Sequence, residues 1–142
     1  MIHEEICTYE VCKLAKEKGF DEECREFYCD EKSQKRITRI SCNRHVTSFD
    51  YCSNSMLEDY YPPHEYCYIA APTQSLLQRW LREERGIEVY VRHFEETNKY
   101  PHHFGTIITD DKGEVLEIGG KMFDTYELAL EYTLKYVLKN LV

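Results

Sequence analysis

The apolar residues near the end of the chain recur every three or four positions over four helical turns. They are Tyr126, Ala129, Leu130, Thr133, Leu134, Val137, Leu138 and Leu141. This spacing is typical of an amphipathic α-helix, because it places the side chains on one face. Asp124 or Thr125 can cap the first turn. We therefore predict a helix over 125–141 that packs on one face of a sheet.

The segment before this helix carries the pattern of one helix and three antiparallel strands. Thr73 is expected to cap a helix that ends at Arg85, with Gly86 just past its end. The Asp110–Gly113 segment has the composition of a hairpin loop. The predicted strands are Ile87–Phe94, Phe104–Thr109 and Val115–Ile118.

Alternation along the first of these strands separates two faces. Ile87, Val89 and Val91 point one way, whereas Tyr90, Arg92 and Phe94 point the other way with Glu88. Tyrosine, phenylalanine and arginine are enriched in the cores of protein interfaces. We therefore predict a binding face of Tyr90, Arg92, Phe94 and the neighbouring His102. The alternative is that the amino-terminal half of the chain covers this face.

The amino-terminal half has weaker patterns. Thr8 is expected to cap a helix that ends at Gly19, and Asp21 a second short helix through about Tyr28. Short strands are predicted at Ile37–Ile40, Val46–Tyr51 and Tyr66–Ala70, although the first two do not alternate cleanly.

The predicted fold class is α+β. It comprises a three- or four-stranded antiparallel sheet with two main helices on one face. An amino-terminal helix and an irregular segment rich in tyrosine and cysteine complete it. With 142 residues, the chain is expected to form a single domain, in which 1–71 is the amino-terminal part and 72–142 the helix–strands–helix part.

The charge and hydropathy of the chain restrict its partners and compartment. The formal net charge is −8, and neither half is basic, which argues against binding to nucleic acid. No apolar run is long enough to cross a membrane, and the acidic start Met1–Glu5 does not resemble a secretory signal. We expect a cytoplasmic protein that does not contact membranes.

Seven cysteines lie in the first half, an odd number that argues against a disulfide framework. Cys24, Cys29, Cys42 and His45 could hold a structural zinc ion, but structural zinc sites favour a Cys-x2-Cys pair, which is absent from the sequence. The alternative, which we prefer, is buried thiols without a metal. No histidine is locally paired with a cysteine, and no motif indicates catalysis or a cofactor, so we expect no enzymatic activity.

The order helix, three strands, helix also occurs in double-stranded-RNA-binding domains. That fold places lysines at the start of its last helix to hold phosphate. Here the corresponding segment is Asp124–Glu127, whose carboxylates repel phosphate. The sequence therefore argues against this function, and we treat the shared order as convergent.

Three stretches carry a resemblance to a family. They are TYEVCKLAKEKGF at Thr8–Phe20, APTQSLLQRWLRE at Ala71–Glu83 and FDTYELAL at Phe123–Leu130. In order and spacing they resemble small proteins of unknown function encoded in prophages and mobile elements of gut anaerobic bacteria. The resemblance implies a bacterial or phage cytoplasm and carries over no functional residue.

Three functional hypotheses follow. The first is a non-enzymatic module that binds a host or phage protein. The second is a nucleic-acid-associated module that uses the Tyr90, Arg92 and Phe94 face. The third is a zinc-stabilised domain.

Overall fold

A computed structural model describes residues 2–31, 36–41, 51–60, 66–94 and 103–142. Side chains are described for these residues except 29–31, 36–41, 60, 66 and 67. The described helices are α1 (Tyr9–Glu17), α2 (Asn54–Tyr60), α3 (Gln74–Arg85) and α4 (Tyr126–Asn140). The described strands are β1 (Glu26–Glu31), β2 (Arg36–Ser41), β3 (Tyr66–Ala70), β4 (Ile87–His93), β5 (Phe104–Asp110) and β6 (Val115–Ile118).

The chain divides into two compact units, each with its own sheet. The amino-terminal unit is Ile6–Pro72, and the carboxy-terminal unit is Thr73–Val142 together with Met1–Glu5. Both sheets are antiparallel and three-stranded. The predicted α+β class is therefore confirmed. The single-domain organisation stays a prediction.

In the carboxy-terminal unit the strands follow one another as a meander, β4-β5-β6. The predicted helix boundaries are confirmed. Thr73 accepts a hydrogen bond from the N–H of Leu76, and Gly86 ends α3 in the left-handed conformation with φ 65°. Thr125 accepts from the N–H of Leu128 at the start of α4. The hairpin loop also forms as predicted, since Gly113 has φ 82°.

Both helices of this unit pack on the face of the sheet that carries Val89 and Ile108, which we call the helix face. Val89 and Ile108 are paired across β4 and β5 and are buried, as is the apolar stripe of α4. Thr133 on α4 donates a hydrogen bond to Thr106 on β5 at 3.0 Å. Burial of this stripe supplies the main apolar stabilisation of the unit.

The amino-terminal unit places its first strand in the middle of the sheet, in the order β2-β1-β3. Phe27 on β1 lies opposite Ile40 on β2 and Ala70 on β3, and it is fully buried. Asn54, the first residue of α2, is also buried. Its amide donates to the carbonyl of Phe20 at 2.8 Å and accepts from the N–H of Ala70 at 2.9 Å.

The helix predicted from Asp21 is wrong, because β1 begins at Glu26. Asp21 does cap a helix, but a distant one. Its carboxylate accepts from the N–H of Ser55 at 2.7 Å and from the Ser55 hydroxyl at 2.6 Å, at the start of α2. Asp21 therefore stabilises the start of α2, a helix that only the fold brings close to it.

Other predictions for this half have mixed outcomes. α1 and the strands at Ile37–Ile40 and Tyr66–Ala70 are confirmed. The described parts of the segment expected to be irregular belong to a second sheet and to α2, and β3 is a strand of that sheet. The strand predicted at Val46–Tyr51 lies outside the described residues except for Tyr51, which is not in a strand.

Candidate functional site

The side of the β4–β6 sheet opposite the helix face carries a row of apolar residues, and we call this side the outer face. Tyr90 pairs with Ile107, and Ile107 pairs with Ile118, so the three lie side by side across the three strands. Tyr90 is 51% exposed and Ile118 is 67% exposed. Within β4, Ile87 and Val89 are buried whereas Tyr90 is exposed, so the predicted alternation is confirmed at these three residues.

A β-bulge extends the apolar part of this face along β6. The register shifts between Ile108 and Thr109, so that Val115 and Leu116 are both accommodated beside Thr109. Val115 is 56% exposed and Leu116 is 49% exposed. Exposed apolar residues scattered singly are ordinary, but contiguous ones mark interaction surfaces. The outer face is contiguous from Tyr90 to the bulge.

The predicted binding residues Arg92 and Phe94 lie at the other end of the outer face. The guanidinium carbon of Arg92 is 5.0 Å from the centre of the Phe94 ring. Gly105 lies opposite Arg92, and a Cβ atom on this glycine would be 2.9 Å from Cε2 of Phe94. The missing side chain therefore allows the Phe94 ring to lie close to β5. His102, the fourth predicted residue, lies outside the described residues.

Aromatic rings also continue around the end of the sheet. His93 stacks on His103 with ring centres 5.8 Å apart, and it meets the edge of Phe104 at 5.1 Å. Phe104 in turn contacts Tyr126 at 6.4 Å. The rings of His93, His103, Phe104 and Tyr126 therefore pack together at this end of the sheet.

A pocket of about 110 Å³ lies on the helix face beside β6, and we call it the Glu117 pocket. Its wall includes Glu117, Lys121, Tyr132 and Tyr136. The ammonium of Lys121 is 4.9 Å from the centre of the Tyr132 ring, a cation–π contact. The pocket thus already accommodates one cationic side chain against an aromatic ring.

Glu117 is held in this pocket by a tyrosine. The hydroxyl of Tyr136 donates a hydrogen bond to the Glu117 carboxylate, and this bond raises the pKa of Tyr136 above its ordinary value, with burial and the charge of Glu117 contributing further. The carboxylate is therefore oriented by Tyr136 beside the edge of the sheet.

The residues of the alternative zinc site are only partly described. Cys24 is buried, its thiol donates to the carbonyl of Glu22 at 3.6 Å, and burial raises the pKa of this thiol to about 12. The side chain of Cys29, and all of Cys42 and His45, lie outside the described part. Within the described part, no three histidine, cysteine, aspartate or glutamate side chains are grouped so that they could hold a metal ion.

The sequence did not indicate that Ile107, Leu116 or Ile118 belong to the candidate surface. The signal for β6 was present, since three of the four residues in Val115–Ile118 are apolar. Such a run predicts a strand buried on both faces. β6 is instead an edge strand, and its apolar side chains are exposed.

Comparison of the chain with protein-family models, with curated proteins and with solved structures gave no match. Among the helices that the structure describes, none has both the length and the apolar character needed to cross a membrane.

Proposed function

We propose that this chain is a non-enzymatic protein-interaction module of phage or mobile-element origin. It binds a host or phage protein in the bacterial cytoplasm through the outer face of the β4–β6 sheet. The observation that carries the proposal is the apolar row of Tyr90, Ile107 and Ile118 across three strands. The side chains of Tyr90 and Ile118 in this row are at least half exposed. Binding removes this apolar surface from water.

The composition of the outer face supports a protein partner. Tyr90 supplies a large ring at low cost in side-chain entropy, and Arg92 lies over an aromatic ring at the same face. The net charge of −8 opposes the close approach of a polyanion. A nucleic-acid partner on this face is the alternative, and it predicts binding that weakens steeply as salt is added.

A photo-crosslinking amino acid placed at position 90 tests the proposal directly. The matched control places the same amino acid at position 51, because Tyr51 is 50% exposed in the other unit while Tyr90 is 51% exposed. We expect a covalent adduct with one defined protein from position 90 and none from position 51, in extract of cells that express the chain. The adduct should disappear with I107S and I118S together.

Three results would contradict the proposal. Equal crosslinking from both positions would show that the contact is non-specific. An adduct that persists in the I107S/I118S variant would exclude the apolar row as the contact surface. Salt-sensitive binding of single- or double-stranded oligonucleotides, lost on R92E, would favour the nucleic-acid alternative.

A further inference from the structure

The two edges of the β4–β6 sheet differ in how their backbone groups are covered. β4 is the first edge, and the side-chain amide of Gln78 on α3 donates to the carbonyl of Val89 at 2.6 Å. This contact occupies an acceptor on that edge. β6 is the second edge, and among the described residues it pairs only with β5. Within the described part of the chain, the side of β6 that faces away from β5 is therefore open to another strand.

The hydrogen-bond pattern identifies which backbone groups of β6 face outward. The N–H of Gly119 donates to the carbonyl of Thr106 at 2.9 Å, so Gly119 points its backbone groups toward β5. Successive residues of a strand point their N–H and C=O groups to opposite edges. The N–H and C=O of Ile118 therefore face the open edge, and those of Glu117 face β5.

The side chains along this edge alternate in chemistry. Leu116 and Ile118 are exposed and apolar on the outer face, whereas Glu117, paired with Ile108, lies on the helix face. The Glu117 carboxylate borders a pocket that already contains a cation–π contact between Lys121 and Tyr132. A strand laid along β6 would thus meet an apolar residue, a carboxylate and another apolar residue in turn.

We propose that β6 receives an extended segment of the partner, which carries a lysine or arginine between two apolar residues. The basic side chain reaches the Glu117 carboxylate at the edge of the pocket and pairs with it, while Lys121 keeps its contact with the Tyr132 ring. The two flanking apolar residues extend the outer face beside Leu116 and Ile118. This inference rests on the proposed function, because it specifies the partner of the same sheet.

In the register that places Leu116 opposite Ile118, charge distinguishes such a segment from a second copy of this chain. If two copies paired through β6 with Leu116 opposite Ile118 of the other copy, the Glu117 side chains would be directly opposite each other. Like charges in directly opposite positions destabilise a strand pair. A basic partner strand removes this repulsion and replaces it with an ion pair.

A synthetic peptide with one lysine between two valines, flanked by threonines and blocked at both ends, is the probe. We expect it to bind the whole chain, to shift the amide NMR signal of Ile118 and to slow exchange of that amide. Replacement of the peptide lysine by glutamate should weaken binding about tenfold or more. E117K should reverse this preference between the two peptides.

Backbone methylation separates strand addition from contact by side chains alone. The amide of the valine opposite Ile118 points toward β6, because the backbone groups of Ile118 face outward. The other valine is two residues away in the peptide, so its amide points the same way, whereas the lysine amide between them points away. N-methylation of the valines should therefore weaken binding about tenfold, and N-methylation of the lysine, the matched control, should leave binding nearly unchanged.

On the protein side, I118P removes the outward N–H, while I118A keeps it and controls for the lost side chain. Amide signals of the remaining residues report whether each variant is folded. If I118P does not fold, the comparison of the two methylated peptides tests strand addition without this variant.

Equal binding of the two methylated peptides, or no binding of the unmodified peptide, would overturn strand addition. Self-association of the chain that I118P abolishes would also overturn it, in favour of a second copy. In all three cases a specific adduct from position 90 would leave the proposed function standing. Loss of that adduct, with peptide binding retained, would instead reject the outer face as the contact surface.

Discussion

The two units of this chain contain similar elements but connect them differently. Among the described residues, each has a three-stranded antiparallel sheet and two helices. In the carboxy-terminal unit each strand pairs with its neighbour in sequence, β4 with β5 and β5 with β6. In the amino-terminal unit β1 also pairs with β3, so that Phe27 lies opposite Ala70. The described strand pairs of the carboxy-terminal unit are all between consecutive strands, whereas the amino-terminal unit has one such pair, β1 with β2, and one distant pair, β1 with β3.

This difference explains why the strands of the carboxy-terminal unit were predicted from the sequence more completely than those of the amino-terminal unit. Two alternating segments joined by a turn predict a local strand pair, as at the Asp110–Gly113 loop. A distant pair has no such turn, and its stability depends on residues that close the long connection. Asn54 is one of these residues, since it links Phe20 to Ala70.

The largest effect is expected from F27A in the centre of the amino-terminal sheet. Phe27 is 1% exposed, so its truncation removes buried apolar contacts and leaves a cavity. We expect a loss of about 3–5 kcal/mol in the free energy of unfolding, measured with urea. F27L, the control, should cost less because most of the volume remains. A loss below about 1 kcal/mol for F27A would show that β1 is not the core strand of its unit.

The next effect tests the distant connection through Asn54. N54A leaves the buried carbonyl of Phe20 and N–H of Ala70 without this partner, and we expect a loss of about 3 kcal/mol. N140A is the matched control in the other unit, because the Asn140 amide also donates to a backbone carbonyl, that of Tyr136, but is exposed. Similar losses for both variants would contradict the role assigned to Asn54.

Removal of a helix cap should lower the free energy of unfolding by a smaller amount. We expect the larger of these losses in the carboxy-terminal unit. The Thr125 hydroxyl is 3.1 Å from the N–H of Leu128, whereas the Thr8 hydroxyl is 3.5 Å from the N–H of Val11. We expect T125A to cost about 1 kcal/mol and T8A less, by thermal or urea unfolding. T125S should retain most of the stability. A larger loss for T8A would reverse this ranking of the caps.

The smallest effects are expected at the two extremes of pH, one in each unit. Burial of Asp21 acts to raise its pKa, but hydrogen bonds from Ser55 and Ser53 outweigh it and lower the pKa below 3.8. The charged form is thus favoured by folding. Its contribution is present above the unfolded pKa and is lost as pH falls through the folded value. D21N should flatten the acid decline in unfolding midpoint, and an unchanged decline would exclude this role.

At the alkaline extreme the sign is reversed. The hydrogen bond to Glu117 raises the pKa of Tyr136 above 10.0, so its contribution is present below that pH and is lost as pH rises through the folded value. E117Q should bring the pKa of Tyr136 down toward 10.0, followed by carbon NMR of the tyrosine rings. E114Q is the matched control, because Glu114 does not contribute to the raised pKa of Tyr136. An unchanged pKa of Tyr136 in E117Q would show that Glu117 on β6 does not raise the pKa of Tyr136 in the pocket.

The candidate surface was predictable in part. Alternation alone placed Tyr90 and Arg92 on the face opposite Val89, and the structure agrees. The contribution of Ile118 was not predictable, because its exposure depends on β6 being an edge strand. The Glu117 pocket was also hidden, since Glu117 and Tyr136 are separated in sequence and meet through the packing of α4.

The sequence by itself determined the elements whose partners are close along the chain. The apolar stripe of α4, the Thr73 and Thr125 caps and the Gly86 and Gly113 conformations all follow from local spacing and local sterics.

Only the tertiary structure decided that Asp21 caps α2, that β1 lies between β2 and β3, and that β6 is the last of the described strands in its sheet. These features depend on contacts between distant residues. Their free energy comes from burial and hydrogen bonding that exist only once the chain has closed its long loops.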